Sequence, residues 1–154
     1  MITLRSQMIG SWELIRFESQ DTATGSVRQP LGPQPRGLIL YTADGFMSAQ
    51  LAPDAAGTEI AEPGGSVAAG PLARGTTPLT EPGGYIAYTG PFHVDEQAAI
   101  VHHRARMATM PDLLAAPQLR EVRVDGDLLT LSATSTDAAG TTTRNTLTWR
   151  RATR

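Results

Sequence analysis

The stretch Gly84–Met110, GYIAYTGPFHVDEQAAIVHHRARMATM, decides how the rest of the chain is interpreted. Its residues predict two strands, Tyr85 to Val94 and Ala98 to Met107, joined by a turn at residues 95–97. All three histidines and two of the three tyrosines of the protein lie in this stretch. We interpret it as a hairpin that faces the cavity of a small β-barrel.

Side-chain alternation assigns a face to each residue of the second predicted strand, because successive side chains point to opposite sides. One face is apolar apart from a single imidazole and carries Val101, His103, Ala105 and Met107. The other face ends in two guanidinium groups, which belong in water. We therefore expect His103 to point inward and His102 outward. A purely structural histidine, whose ring is satisfied by a neighbour, would produce the same pattern and remains an alternative.

The composition narrows the classes of function. A chain of 154 residues predicts one domain, and a net charge of -2 gives no electrostatic case for binding nucleic acid. The absence of cysteine excludes disulfides and thiolate nucleophiles, and the absence of lysine excludes Schiff-base chemistry. No apolar run approaches the roughly 18 residues of a membrane-spanning helix. We expect a cytoplasmic protein with no membrane partner.

Turn signals divide the chain into about nine strands. The strands predicted outside the hairpin are residues 10–19, 26–29, 36–42, 46–51, 119–124, 128–133 and 142–151, with one helical turn at residues 3–8. Asp-Gly pairs at residues 44–45 and 125–126 are typical of tight hairpin turns. This pattern predicts an all-β fold, a closed antiparallel β-barrel of about eight to ten strands, because closure removes exposed sheet edges.

Residues 53–82 differ in kind from the rest. They are rich in Ala, Gly, Pro and Thr. The sequence Glu-Pro-Gly-Gly occurs within them at residues 62–65 and again across their end at residues 81–84. A segment of this length without predicted strands is typical of a lid, a binding loop or a flexible surface loop. Its position directly before the histidine hairpin favours a lid over the binding site, and an ordinary flexible loop remains the alternative.

Short motifs distributed over nearly the whole chain carry a resemblance. They are Gly10-Ser11-Trp12 with Leu14, Gly32-Pro33, Arg36-Gly37, Tyr41-Thr42, Asp44-Gly45, Met47 to Leu51, Gly84 to Tyr88, His102-His103, Pro111, Arg120, Leu129 to Leu131, Leu147, Trp149 and Arg151. Together they resemble the bacterial lipocalin-like domain family, a single-domain calycin-type barrel. The resemblance implies a small-molecule site inside the barrel and a barrel end closed by Trp12 against Arg151. Some members of that family belong to natural-product pathways.

The candidate site combines two chemically active side chains with an apolar wall. His103 and Arg120 are the candidate catalytic residues, since alternation also places Arg120 on the inner face of its strand. No acidic residue predicted to face inward on these strands would pair with Arg120. The candidate ligand-binding residues are Tyr41, Met47, Tyr85, Tyr88, Met107 and Trp149. No metal site is expected, because the adjacent His102 and His103 face opposite ways. No cofactor is expected either.

Two classes of function remain. A neutral His103 could take a proton from a carbon acid or phenol while Arg120 or a tyrosine stabilises the oxyanion. That chemistry suits a cofactor-independent cyclase or isomerase of polyketide-type natural products, and pocket shape alone could also promote cyclisation. The alternative is a non-catalytic intracellular carrier. Either class predicts an apolar small-molecule ligand with an oxygen function, and either is compatible with a homodimer. We prefer the enzyme hypothesis.

Overall fold

The computed structural model describes residues 1–53 and 85–153, and in these ranges antiparallel strands join into one sheet. The elements are α1 (Leu4–Met8), β1 (Gly10–Asp21), β2 (Val27–Arg28), β3 (Arg36–Tyr41), β4 (Phe46–Ala52), β5 (Ile86–Asp95), β6 (Ile100–His103), β7 (Met107–Ala108), α2 (Asp112–Ala115), β8 (Gln118–Asp125), β9 (Leu128–Thr136) and β10 (Thr142–Arg151). Nearly all of the segment predicted to be a lid lies outside the described residues.

The sheet closes on itself through its first and last long strands. β1 pairs with β10 from Trp12 opposite Arg151 to Asp21 opposite Thr143. The closed ring consists of β1, β3, β4, β5, β6, β8, β9 and β10, and the short strands β2 and β7 are additions to it. The predicted closed antiparallel barrel is therefore confirmed.

Alternation of side chains places the core inside this ring. Along β5, the buried residues Ile86, Tyr88, Phe92 and Val94 alternate with more exposed ones. The same alternation runs along β4. Because successive residues of a strand face opposite sides, each strand contributes every second side chain to one common apolar interior. The removal of these side chains from water supplies the main driving force for closure.

Helix α1 closes one end of the barrel. Met8 is fully buried, and its carbonyl accepts a hydrogen bond of 2.8 Å from the indole Nε1 of Trp12. The guanidinium of Arg151 lies 4.1 Å from the centroid of the Trp12 ring and donates to the carbonyls of Gln7 and Ile9. The last carbonyls of a helix have no partner within it, so Arg151 satisfies them while it packs on the indole. The expected contact of Trp12 with Arg151 is confirmed.

The turn of the histidine hairpin holds the other end of α1. The carboxylate of Glu96 accepts hydrogen bonds from the backbone N–H groups of Leu4 (2.7 Å) and Arg5 (2.9 Å). These first N–H groups of a helix also lack internal partners, and a carboxylate is favoured beside them. The turn itself forms as predicted, since the Asp95 side chain accepts from the backbone N–H groups of Gln97 and Ala98.

The second strand of the hairpin is shorter than predicted. β6 ends at His103, and the chain pairs with β5 again only at β7. Phe92 is opposite His103 and Thr89 is opposite Met107, so residues 90–91 face residues 104–106, a bulge with one extra residue. The extra residue reverses the alternation. The predicted shared face of His103 and Met107 is therefore wrong, and the Met107 side chain is 67% exposed.

Gly90 permits this bulge. A Cβ atom at position 90 would overlap the carbonyl oxygen of Arg104, so the two backbones approach more closely than any side chain allows. The approach is held by hydrogen bonds from Arg104 N to the Pro91 carbonyl (2.9 Å) and from Arg106 N to the Thr89 carbonyl (2.8 Å).

Residues 109–117, to which the sequence analysis assigns no strand or helix, contain the short helix α2, and Leu113 from this helix is buried in the core. Four helical residues are too few to leave a recognisable period in the sequence. No helix in the described ranges is long and apolar enough to cross a membrane.

Replacing Trp12 by alanine tests the closed barrel end. The variant loses a fully buried ring, its hydrogen bond to Met8 and the surface on which Arg151 packs. We expect the free energy of unfolding in urea to fall by about 3–5 kcal/mol. The exposed neighbour Arg150, changed to alanine, serves as the control and should shift the midpoint little. A Trp12→Ala protein with the midpoint of the wild type would contradict this role.

Candidate functional site

A cavity of about 90 Å³ lies inside the barrel. The described residues that line it are Phe17, Ile39, Ala49, Leu51, Ile86, Tyr88, Leu113, Arg120, Leu131, Ala133, Asn145, Leu147 and Trp149. Most of this wall is hydrocarbon, and only Tyr88, Arg120, Asn145 and Trp149 bring polar groups to it. A largely apolar cavity with a few polar groups is the usual form of a small-molecule site.

Alternation along the strands explains which polar groups reach the cavity. On β8, Arg120 shares its face with the buried Val122, whereas Glu121 and Arg123 are exposed. The structure thus places Arg120 on the inner face, as expected. On β10, Asn145 precedes Trp149 by four residues and lies on the same face. Asn145 is absent from the residues predicted to form the site, although its spacing from Trp149 indicates a shared face.

His103 is fully buried between two tyrosines, one of which, Tyr88, belongs to the cavity lining. The Tyr41 hydroxyl is 2.7 Å from its Nε2, and the Tyr88 hydroxyl is 3.1 Å from its Nδ1. The inward direction of His103 is confirmed. His102 faces the outer side, where its ring lies beside that of His93, so the expected opposition of the two adjacent histidines is also confirmed.

Hydrogen-bond satisfaction fixes the direction of this chain of three side chains. A neutral imidazole has one N–H donor and one bare nitrogen acceptor. Tyr41 is buried, and His103 is the one hydrogen-bond partner of its hydroxyl among the described residues. Tyr88 belongs to the cavity lining, where its O–H can meet a ligand acceptor, and Tyr41 does not; we therefore assign the Tyr41 proton to Nε2, since otherwise its buried O–H would be left unpaired. Nδ1 then carries the ring proton and donates to the Tyr88 oxygen.

Burial keeps the three side chains uncharged. Burial, helped by the nearby Arg120 charge, lowers the pKa of His103 to about 3. Burial raises the pKa of Tyr41 well above its ordinary value, and the neighbouring Tyr88 raises it further. Burial also raises the pKa of Tyr88, against the opposing effect of Arg120. Near neutral pH the interior therefore holds two phenols and a neutral imidazole beside one guanidinium.

Arg120 is a cation without a carboxylate partner among the described residues. Its Nη1 donates to the carbonyl of Leu119 at 2.8 Å, and no described Asp or Glu lies within ion-pair distance of it. Trp149 presents a second donor without a partner. Its indole Nε1 is buried, and no described residue accepts its hydrogen. Trp149 is predicted from the sequence only as apolar wall, and this donor is absent from that prediction.

The other predicted ligand-binding residues lie away from the described cavity lining. Tyr41 and Met47 are buried in the core beside it. Tyr85 is 57% exposed, because Ile86 and Tyr88 face inward and alternation turns Tyr85 outward. Met107 faces outward after the bulge at Gly90 and borders an open groove on the barrel surface. The inward placement expected for Tyr85 and Met107 is therefore wrong.

No group of three or more His, Asp or Glu side chains able to hold a metal ion occurs in the described ranges. The two outer histidines, His93 and His102, stand opposite each other on β5 and β6, with ring centroids 5.9 Å apart.

The low pKa of His103 makes stability depend on pH. The unfolded chain binds a proton at the ordinary histidine pKa of 6.5, and the folded chain binds it only near 3. Stability is therefore complete above the higher value and falls as the pH drops below it, by up to ~1.4 kcal/mol per pH unit. We expect the free energy of unfolding to fall less steeply in His103→Gln than in the wild type between about pH 6 and pH 5.

The depressed carboxyl pKa values of Asp21, Asp95 and Glu121 contribute to both proteins and cancel in this comparison. Equal slopes would contradict a neutral, buried His103.

Comparison with known proteins agrees with this architecture. The chain matches the family model of the lipocalin-like domain over residues 9–152, from the start of β1 to the end of β10. A search of curated proteins finds no significant match. A barrel of this size encloses space for one small ligand, so the fold is consistent with small-molecule binding. The match over residues 9–152, together with the closed eight-stranded ring, shows that the chain belongs to the lipocalin-like domain family.

Proposed function

We propose that this protein binds one small, mainly apolar molecule in its barrel cavity through an oxygen function of that molecule. The observation that carries the proposal is Arg120, a cation in the lining of an apolar cavity with no carboxylate partner among the described residues. A cation beside hydrocarbon is costly unless an acceptor faces it. The carbonyl of Leu119 accepts from one nitrogen, and the fork of donors has capacity for a ligand oxygen as well.

The Tyr88 hydroxyl supports the same assignment. Tyr88 belongs to the cavity lining, and in the assigned tautomer its oxygen accepts the His103 Nδ1–H, so its own proton is available to a ligand. The hydrocarbon walls, including Leu131 and Leu147, would cover the apolar part of the molecule. His103 acts as a positioning residue in this arrangement, because it fixes the direction of the Tyr88 hydroxyl.

Turnover is a second candidate function, and the Tyr41–His103–Tyr88 chain favours it. In a cofactor-independent cyclase or isomerase of a polyketide-like molecule, Tyr88 would donate to a substrate carbonyl while a neighbouring C–H loses its proton. Arg120 would stabilise the enolate charge that develops on the oxygen. The C–H proton would pass to water or to a basic group of the substrate, since tyrosines occupy both nitrogens of His103. A carrier would share the cavity and the contacts but release its ligand unchanged.

Binding can be tested with acetophenone, an apolar ring with one acceptor oxygen. We expect saturable shifts in the NMR resonances of cavity residues such as Ala49 and Leu131. Ala133→Phe directs a ring into the cavity and should abolish these shifts. Thr134→Phe places the same ring on the next, exposed position of β9 and should leave them intact. Shifts that survive Ala133→Phe, or no saturable binding by the wild type, would contradict the proposal.

Turnover can be tested without knowing the natural substrate. Acetophenone exchanges the protons beside its carbonyl for deuterium in heavy water when its enolate is stabilised. An isomerase-type site should accelerate this exchange above buffer, and Tyr88→Phe and Arg120→Gln should each reduce the acceleration by about 10²-fold. His102→Gln, on the outer face, is the control and should change nothing. Saturable binding without any acceleration would favour the carrier.

A further inference from the structure

We infer that the oxygen function of the ligand is anionic, a small carboxylate or phenolate bound by Arg120, Tyr88 and the indole N–H of Trp149. This inference rests on the proposed binding function and specifies its ligand class. It follows from the kind of polar groups that the described lining offers, and each group supports it by a separate observation.

The first observation is the direction of the hydroxyl chain. In the tautomer assigned to His103, Tyr41 donates to Nε2, and Nδ1 donates to the oxygen of Tyr88. Tyr88 can therefore meet the cavity with its proton, as a hydrogen-bond donor. A ligand that offered an N–H or O–H in this direction would face the phenol proton and gain nothing from it.

The second observation is the Trp149 indole. It belongs to the cavity lining, and its Nε1 is a buried side-chain atom without an acceptor among the described residues. The other tryptophan, Trp12, gives its Nε1–H to the Met8 carbonyl. An indole nitrogen can only donate, and a buried donor without an acceptor costs stability. A ligand oxygen would remove that cost.

The third observation is charge. The buried polar side chains of the described ranges are Ser19, His103 and Ser132, none of them a carboxylate. Arg120 is half-buried and belongs to the cavity lining, beside neutral phenols and a neutral imidazole, and no described carboxylate forms an ion pair with it. Asn145 can present either its carbonyl or its amide N–H groups and adapts to the ligand.

These features favour an anion over a neutral carbonyl. A neutral carbonyl offers two lone pairs and no charge, whereas a carboxylate offers about four acceptor sites and a full negative charge. Hydrogen bonds between ionised partners are roughly twice as strong as neutral ones. A carboxylate or phenolate would therefore satisfy three donors and neutralise the guanidinium together.

Isobutyrate and isobutyramide are matched probes, since they differ mainly in charge and are small enough for the cavity. We expect isobutyrate to bind at least ~10-fold more tightly than isobutyramide. The protein has two tryptophans and so two indole N–H resonances in a proton–nitrogen NMR spectrum. Isobutyrate should move the Trp149 indole proton downfield and leave that of Trp12 unchanged, because Trp12 already has its acceptor.

Arg120→Gln should reduce the affinity for isobutyrate to that for isobutyramide. Arg123→Gln removes the same charge from an exposed position of β8 and is its control, with wild-type affinity expected. Trp149→Phe, which keeps a ring but loses the N–H, and Tyr88→Phe should each weaken isobutyrate binding more than acetophenone binding.

Equal affinities for the two probes in the wild type, with acetophenone still bound, would overturn the anion assignment and leave the proposed function intact. Isobutyrate binding that leaves the Trp149 resonance in place, or that Arg123→Gln weakens as much as Arg120→Gln, would show surface association and overturn it as well. Failure of all three probes to bind would remove the proposed function together with this inference.

Discussion

The pairing of β1 with β10 is the constraint on which the rest of the structure depends. It turns an antiparallel sheet into a ring, so that every second side chain of each strand shares one enclosed interior. Arg151 holds this closure near its end, because it stands opposite Trp12 in the register, packs on the indole and satisfies the carbonyls at the end of α1. Backbone pairing, cation–π contact and helix capping thus meet at one residue. The helix that seals the barrel is held by the strand that closes it.

The chemistry of the interior follows from that enclosure. An imidazole in water would titrate near neutral pH, whereas burial of His103 keeps it neutral and makes its two nitrogens unequal. Tyr41 and Tyr88 come from β3 and β5 and meet His103 from opposite sides, so the trio also joins three strands of the ring. In the proposed function, the hydrogen bonds that satisfy the buried ring would also aim a phenol proton at the cavity.

Much of the barrel could be predicted from the sequence because period-2 alternation and the Asp-Gly turns are local signals. The same alternation correctly placed His103 and Arg120 inside and His102 outside. It failed at Met107, where one extra residue at the bulge reverses the assignments in the rest of that predicted strand, and the backbone contact at Gly90 that permits the bulge is visible only in the structure. It also could not find the Tyr41–His103–Tyr88 chain, since these residues are brought together by the register of separate strands. The unpartnered Nε1 of Trp149 depends on three-dimensional surroundings that no sequence pattern encodes.

The bulge between β6 and β7 changes which residues of the chain face the interior. Upstream of it, the odd-numbered residues Val101 and His103 face the interior; downstream, the even-numbered Ala108 is the residue opposite the inward Tyr88. Without the bulge, regular pairing through positions 104–106 would place Met107 instead of Ala108 opposite Tyr88, at the edge of the interior. A small side chain would give way to a long, flexible one without any substitution. The bulge, as much as residue identity, therefore sets the shape of the space that the barrel encloses.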